Sequence, residues 1–148
     1  MDILVKVSGD LESDERFYDW LSSTISPSDE LFILCGGGTT ITQFLEEQGI
    51  SFTFGAGGRE IESEEGKRLA QRVLRERQNL VKRKLQERGI EATVFIPVAE
   101  IGDRICHING DIYVMALYPN FDKIFVITLK ERAKSFPGEF QKIKIVHL

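Results

Sequence analysis

Four short stretches of this 148-residue sequence combine glycines with side chains that bind or neutralise anions. Backbone N–H groups at a glycine turn that opens a helix stabilise phosphate or carboxylate groups, and so do ammonium and guanidinium groups. The residue types therefore indicate a site for a small anion. The candidate residues are Lys6, Gly9, Gly36, Gly37, Gly38, Thr39, Arg59, Asn109 and Asp111.

Most of these residues follow a segment with the pattern of a β-strand. Short apolar or alternating runs predict strands over 3–7, 31–35, 50–54, 92–98, 105–108, 123–129 and 143–147. Apolar residues three or four apart predict helices over 14–25, from 40 to the stop at Gly49, over 63–88 and over 111–118. This alternation predicts one domain over 1–148, a three-layer α/β/α sandwich with a mainly parallel sheet.

The turns that carry the candidate residues are expected to share one edge of the sheet. In open α/β sheets, ligands bind outside the carboxyl ends of the strands. The turns after Val7, Cys35, Phe54 and Ile108 would then lie together. The sequence therefore predicts one site rather than four separate ones.

Each candidate residue also has a purely structural interpretation. The three glycines after Cys35 would allow close packing at a strand–helix junction without any ligand. Lys6 could mark an exposed strand end, Arg59 an exposed loop, and Asp111 a first-turn acid favoured by the helix dipole. Both interpretations remain open at this stage.

Four motifs resemble those of the amino acid kinase family, in the family's order. Lys6-Val7-Ser8-Gly9 is similar to its Lys-x-Gly-Gly opening, and Gly36-Gly37-Gly38 to its His-Gly-Gly-Gly turn. Gly58-Arg59 resembles the Gly-x-Arg of acetylglutamate kinases, and residues 107–111 resemble their Asn-x-Asn-x-Asp. The resemblance spans most of the chain and implies an amino acid kinase-like fold.

The resemblance also implies a role for each matching residue. Lys6 would neutralise the transferred phosphoryl group, and the glycines of both turns would cradle it through backbone amides. Arg59 would grip a carboxylate of the acceptor, Asn109 would contact the acceptor, and Asp111 would hold the lysines in place.

The sequence departs from the family's pattern at several positions. Ser8, Cys35 and His107 replace a glycine, a histidine and an asparagine of the motifs. Only nineteen residues follow Leu129, so we expect most of the nucleotide-binding half to be absent. The resulting prediction is a domain that binds a small carboxylate or phosphate at its glycine turns and has no independent kinase activity. The alternatives are an ATP-dependent phosphotransferase that uses Mg-ATP, with a minimal nucleotide lobe or one supplied by another chain, and a purely structural subunit.

Composition and charge limit the partners. A net charge of −4 disfavours nucleic acid, and no apolar run approaches the roughly 20 residues that cross a bilayer, so we expect a cytoplasmic protein. With two histidines no metal site is predicted, and the two cysteines are expected to be free thiols. The helix over 63–88 is longer than a small sheet requires, which predicts a homodimer through its apolar stripe.

Overall fold

A five-stranded parallel sheet forms the centre of the computed structural model, which describes residues 1–148. The strands are β1 (Asp2–Val7), β2 (Glu30–Cys35), β5 (Thr93–Phe95), β8 (Lys123–Thr128) and β9 (Ile143–His147). Their order in the sheet is β5-β2-β1-β8-β9. Every neighbouring pair in this sheet is parallel, as predicted.

Two antiparallel hairpins lie outside this sheet. They are β3 (Phe52–Gly55) with β4 (Gly58–Ile61), and β6 (Val98–Ile101) with β7 (Arg104–His107). The predicted strands over 50–54 and 105–108 lie in these hairpins, so the expectation that they belong to the parallel sheet is wrong. Most residues of β3 are exposed, whereas a central parallel strand needs apolar residues on both faces. The predicted strand over 92–98 is divided at Pro97, which has no N–H to donate.

The four predicted helices are present, with small changes at their ends. They are α1 (Glu15–Thr24), α2 (Gly38–Glu47), α3 (Glu64–Glu87) and α4 (Gly110–Leu117). Asp14 caps α1 by accepting a hydrogen bond from the N–H of Arg16. Ser63 caps α3 in the same way through the N–H of Gly66. None of the four helices is long and apolar enough to cross a bilayer.

The helices cover both faces of the sheet and confirm the three-layer architecture. On β1, Ile3 and Val5 face the larger core, which includes buried residues of α1, α2 and α3. Leu4 points the other way and packs with Val114 of α4. On α3, the buried members of the apolar stripe contribute to the larger core of the same chain: Ala70, Val73, Leu74, Val81 and Leu85.

The loops after β1 and β2 approach each other backbone to backbone. A Cβ atom on Gly36 would lie 2.6 Å from the carbonyl oxygen of Val7, and one on Gly9 would lie 2.8 Å from Cα of Gly37. Such distances are far below ordinary contact, so both positions exclude a side chain. Close packing therefore explains these two glycines whether or not a ligand is bound.

Candidate functional site

Most of the predicted site residues line a single cavity of about 170 Å³. It lies beyond the carboxyl ends of the central strands and is bounded on one side by the two hairpins. Gly37 and Asp111 do not line this cavity. The predicted residues that do line it are Lys6, Gly9, Gly36, Gly38, Thr39, Arg59 and Asn109.

The order of the strands explains the position of the cavity. From β1 the chain passes to β2 on one side, and it later crosses to β8 on the other side of β1. The loops at the carboxyl end of β1 therefore lie at a topological switch point, where open α/β sheets bind their ligands. Lys6, Ser8 and Gly9 lie at this point and all line the cavity.

Asp111 holds two lysines in a partly buried cluster. Its Oδ1 is 3.1 Å from Nζ of Lys6, and its Oδ2 is 2.8 Å from Nζ of Lys134. Burial lowers the pKa of the Lys6 ammonium, although Asp111 opposes this shift. Burial alone would raise the pKa of Asp111, but the two lysines outweigh it and the pKa is lowered. With both lysines protonated and Asp111 ionised, the Lys6–Asp111–Lys134 cluster has one net positive charge.

The backbone of Gly37 is used inside the protein. Gly37 has a φ of 67°, and its N–H donates to Oε1 of Glu12 over 3.1 Å. Glu12 is fully buried, and its Oε2 lies 3.6 Å from Nε of Arg77. Arg77 also donates to the carbonyl oxygen of Gly9. These contacts fix the glycine turn from the interior of the protein. The Gly37 N–H is therefore not available to a ligand in this conformation.

The first turn of α2 still offers backbone donors to the cavity. The first N–H groups of a helix have no acceptor within the helix, and the residue before α2 is a glycine with no capping side chain. Gly38 and Thr39 belong to this turn and line the cavity. Their N–H groups are therefore suited to an anion, as the sequence indicated.

Arg59 is a guanidinium without a carboxylate partner. Its Nη2 donates to the carbonyl oxygen of Gly38 at 2.9 Å and to Oγ1 of Thr42 at 2.6 Å. The rings of Phe52 and Phe54 lie 5.4 and 5.2 Å from its Cζ. Burial lowers the pKa of Arg59, and its Nε is buried with no acceptor. A buried donor without an acceptor costs roughly 1–3 kcal/mol, which favours an acceptor that reaches it.

Asn109 has a structural role in addition to its position in the cavity wall. Its Oδ1 accepts hydrogen bonds from the N–H groups of Asp111 and Ile112 and so caps α4. Its own N–H donates to the carbonyl oxygen of Gly57 in the first hairpin. Asn109 thus helps to fix both Asp111 and the hairpin that carries Arg59.

Four further polar residues of the site were not among the candidate residues: Ser8, His107, Arg132 and Lys134. Arg132 lines the cavity and donates to Oδ2 of Asp10 at 3.0 Å. His107 lines it as well, and its Nε2 lies 2.9 Å from the carbonyl oxygen of Lys67. Lys134 completes the cluster at Asp111. The sequence held a usable signal for Arg132 and Lys134, because both follow the apolar strand β8, which pairs with β1.

The cavity wall is positively charged. Lys6, Arg59 and Arg132 line it, and no aspartate or glutamate does. The chain holds no group of three or more histidine, cysteine, aspartate or glutamate side chains suited to a metal ion. Cys35 and Cys106 are free, and Cys35 is buried. The cationic side chains of the cavity are therefore suited to binding an anion and stabilising its negative charge.

Comparisons with known proteins define the fold. No protein-family model and no curated protein matches the sequence. Among solved structures, the chain is similar to the crystal structure of smu.665 from Streptococcus mutans UA159, with a TM-score of 0.69 and 15% sequence identity. The match covers 89% of this chain and 76% of the other. The likeness supports the α/β/α fold.

Glu12 generates a prediction about stability and pH. Burial raises its pKa from 4.5 to about 7, partly offset by Arg77 and the Gly37 N–H. A raised pKa in the folded state gives stability that is complete below the unfolded pKa and lost as the pH rises through the folded one. We expect Glu12→Gln to gain stability relative to the wild type between about pH 5 and pH 8, by on the order of 3 kcal/mol.

Urea unfolding of both proteins at the two pH values measures this difference. The pKa of His107 is lowered by burial and acts in the opposite direction, but it is common to both proteins and cancels in the comparison. Glu47→Gln, at an exposed position of α2, is the control and should show no such change. An equal stability difference at both pH values would contradict the prediction.

Proposed function

We propose that this chain is an amino acid kinase-like domain that binds a small anionic molecule, a carboxylate or a phosphate, at its glycine turns. The observation that carries the proposal is the cavity itself, where three cationic side chains meet without a lining carboxylate. Arg59 has no acidic partner at all, so a ligand anion would supply its counter-charge. The order of the four motifs and the parallel α/β/α fold are consistent with this family.

The size of the cavity supports a small ligand. Its volume of about 170 Å³ equals that of roughly five or six water molecules in the liquid. Drug-sized ligands occupy roughly 300–1,000 Å³. A metabolite of the size of an acylated amino acid or a short phosphate ester is therefore favoured over a nucleotide together with its acceptor.

Ligand-induced stabilisation tests this proposal. We expect one or more of N-acetylglutamate, aspartate, carbamoyl phosphate and inorganic phosphate to raise the melting temperature, with uridine monophosphate as a larger comparison compound. A ligand at a hundred times its Kd adds about 2.7 kcal/mol to the free energy of unfolding. The effect should be lost in Arg59→Ala and in Lys6→Ala, because each removes a cation from the wall.

The matched control is Arg72→Ala, which removes an exposed arginine of α3 outside the cavity. This variant should respond to ligand as the wild type does. If Arg59→Ala and Lys6→Ala also keep the full response, the ligand binds elsewhere and the assignment of the site is wrong.

A second candidate function is phosphoryl transfer, and the Lys6–Asp111–Lys134 cluster favours it. Phosphoryl transfer depends on positioning and on stabilising charge that develops on the transferred group. Two ammonium groups fixed by one carboxylate provide fixed positive charge for that purpose. In this alternative Mg-ATP is the phosphoryl donor, and the nucleotide lobe is minimal or is supplied by another chain.

Formation of ADP from Mg-ATP in the presence of each acceptor tests the second function. If the chain is active, Lys134→Ala should reduce the rate by about tenfold or more, as expected for loss of one group that stabilises transition-state charge. Lys130→Ala is the control, because Lys130 is exposed on the same segment and does not contact Asp111. Absence of ADP with every acceptor, with and without proteins from the same source, would contradict transfer.

The proposed homodimer through the long helix rests on two leucines. Leu69 and Leu80 of α3 are only partly buried, and their spacing of eleven residues is about three helical turns, so they lie along one side of the helix. We expect sedimentation velocity to give a dimer for the wild type and a monomer for Leu80→Lys. A wild-type protein that sediments as a monomer at high concentration would contradict this assignment.

A further inference from the structure

The hydrogen bonds of Arg59 restrict the anions that it can bind. A guanidinium group has two pairs of parallel N–H donors, Nε with Nη2 and Nη1 with Nη2. Planar carboxylates bind best when both oxygens accept from one such pair. Each pair therefore requires a free hydrogen on Nη2.

Nη2 has two hydrogens and already donates to two acceptors in this structure. One acceptor is the carbonyl oxygen of Gly38 and the other is Oγ1 of Thr42, both in α2. Nη1 donates to no group of the chain, and Nε is buried without an acceptor. Arg59 can therefore offer single hydrogen bonds to a ligand. It cannot offer a parallel pair unless a contact to α2 breaks.

The other donors of the cavity come from three different parts of the chain. They are the Lys6 ammonium, the Arg132 guanidinium and the N–H groups of the first turn of α2. A phosphate monoester suits such a set, because its three terminal oxygens point along different directions. A phosphate monoester also carries about 1.5–2 negative charges near neutral pH.

Part of the cavity wall is apolar. Its side chains come from α2, α3, the first hairpin and the segments that flank the second hairpin: Ile41, Phe54, Leu74, Pro97 and Ile108. Phe54 is 68% exposed at the mouth, which is unusual for a large aromatic side chain. A ligand with a short hydrocarbon body would cover part of this surface.

We propose that the cavity takes a small phosphate monoester with an apolar body in preference to a carboxylate of the same length, and that Thr42 sets this preference by holding Nη2 of Arg59. The inference rests on the proposed anion-binding function and names the anion. Thr42 acts here as a positioning residue, since it would act through Arg59 and does not line the cavity.

Isothermal titration calorimetry with n-butyl phosphate and with pentanoate tests the proposal on the full chain. These probes share a four-carbon body and differ in the anionic group. We expect the wild type to bind n-butyl phosphate about tenfold more tightly, on the scale of one additional charge-assisted hydrogen bond. Thr42→Val removes the acceptor and frees one hydrogen of Nη2. Pentanoate should therefore bind more tightly, and the ratio between the Kd values of pentanoate and n-butyl phosphate should fall.

Two variants control for side effects of the substitution. Thr42→Ser keeps the hydroxyl acceptor and should retain the wild-type preference. Thr40→Val makes the same chemical change two residues earlier in α2, where no hydrogen bond to Arg59 exists. This variant should also retain the wild-type preference.

The outcomes separate this inference from the proposed function. If pentanoate binds as tightly as n-butyl phosphate, and Arg59→Ala abolishes binding, anion binding stands and the phosphate assignment is overturned. If the preference is unchanged in Thr42→Val, it arises from charge alone and the role of Thr42 is overturned. If neither probe binds, the phosphate monoester assignment is overturned, and the melting-temperature series with the other anions decides the proposed function.

Discussion

The contact on which the site depends is the ion cluster in which Asp111 joins Lys6 and Lys134. These residues lie far apart in sequence, on the central strand, at the start of α4 and in the segment that leads to the last strand. A buried ammonium without a partner would be costly, so the carboxylate makes it possible for Lys6 to lie near the end of a buried strand. The same carboxylate fixes α4 and the C-terminal segment relative to the sheet.

The glycines and the cationic side chains contribute to the site in different ways. Gly9 and Gly36 allow two loops to touch, and Gly37 turns its N–H toward buried Glu12. The glycines thus bring the loops close enough to form a cavity, while the charge comes from the side chains around it. The two interpretations of the glycine turn, packing and anion binding, are therefore complementary.

Periodicity was sufficient to predict the fold class, all four helices and the strands of the sheet, because burial on both faces leaves a clear apolar pattern. The pairing of short segments was not predictable, since β3 and β7 read as strands whether they join the sheet or form hairpins. Lys6, Arg59 and Asp111 were found because they accompany glycines. Lys134 was missed although it follows a predicted strand, and Glu12 was missed because only the folded chain brings it to Gly37.

The first hairpin has a consequence for how this fold can diversify. Arg59 and its two aromatic neighbours are carried by β3 and β4, which pair only with each other. The ion cluster and the parallel sheet lie in separate elements. Substitutions at Phe54, an exposed position of this hairpin, would therefore reshape the mouth of the cavity while the pairing of the parallel sheet stays intact.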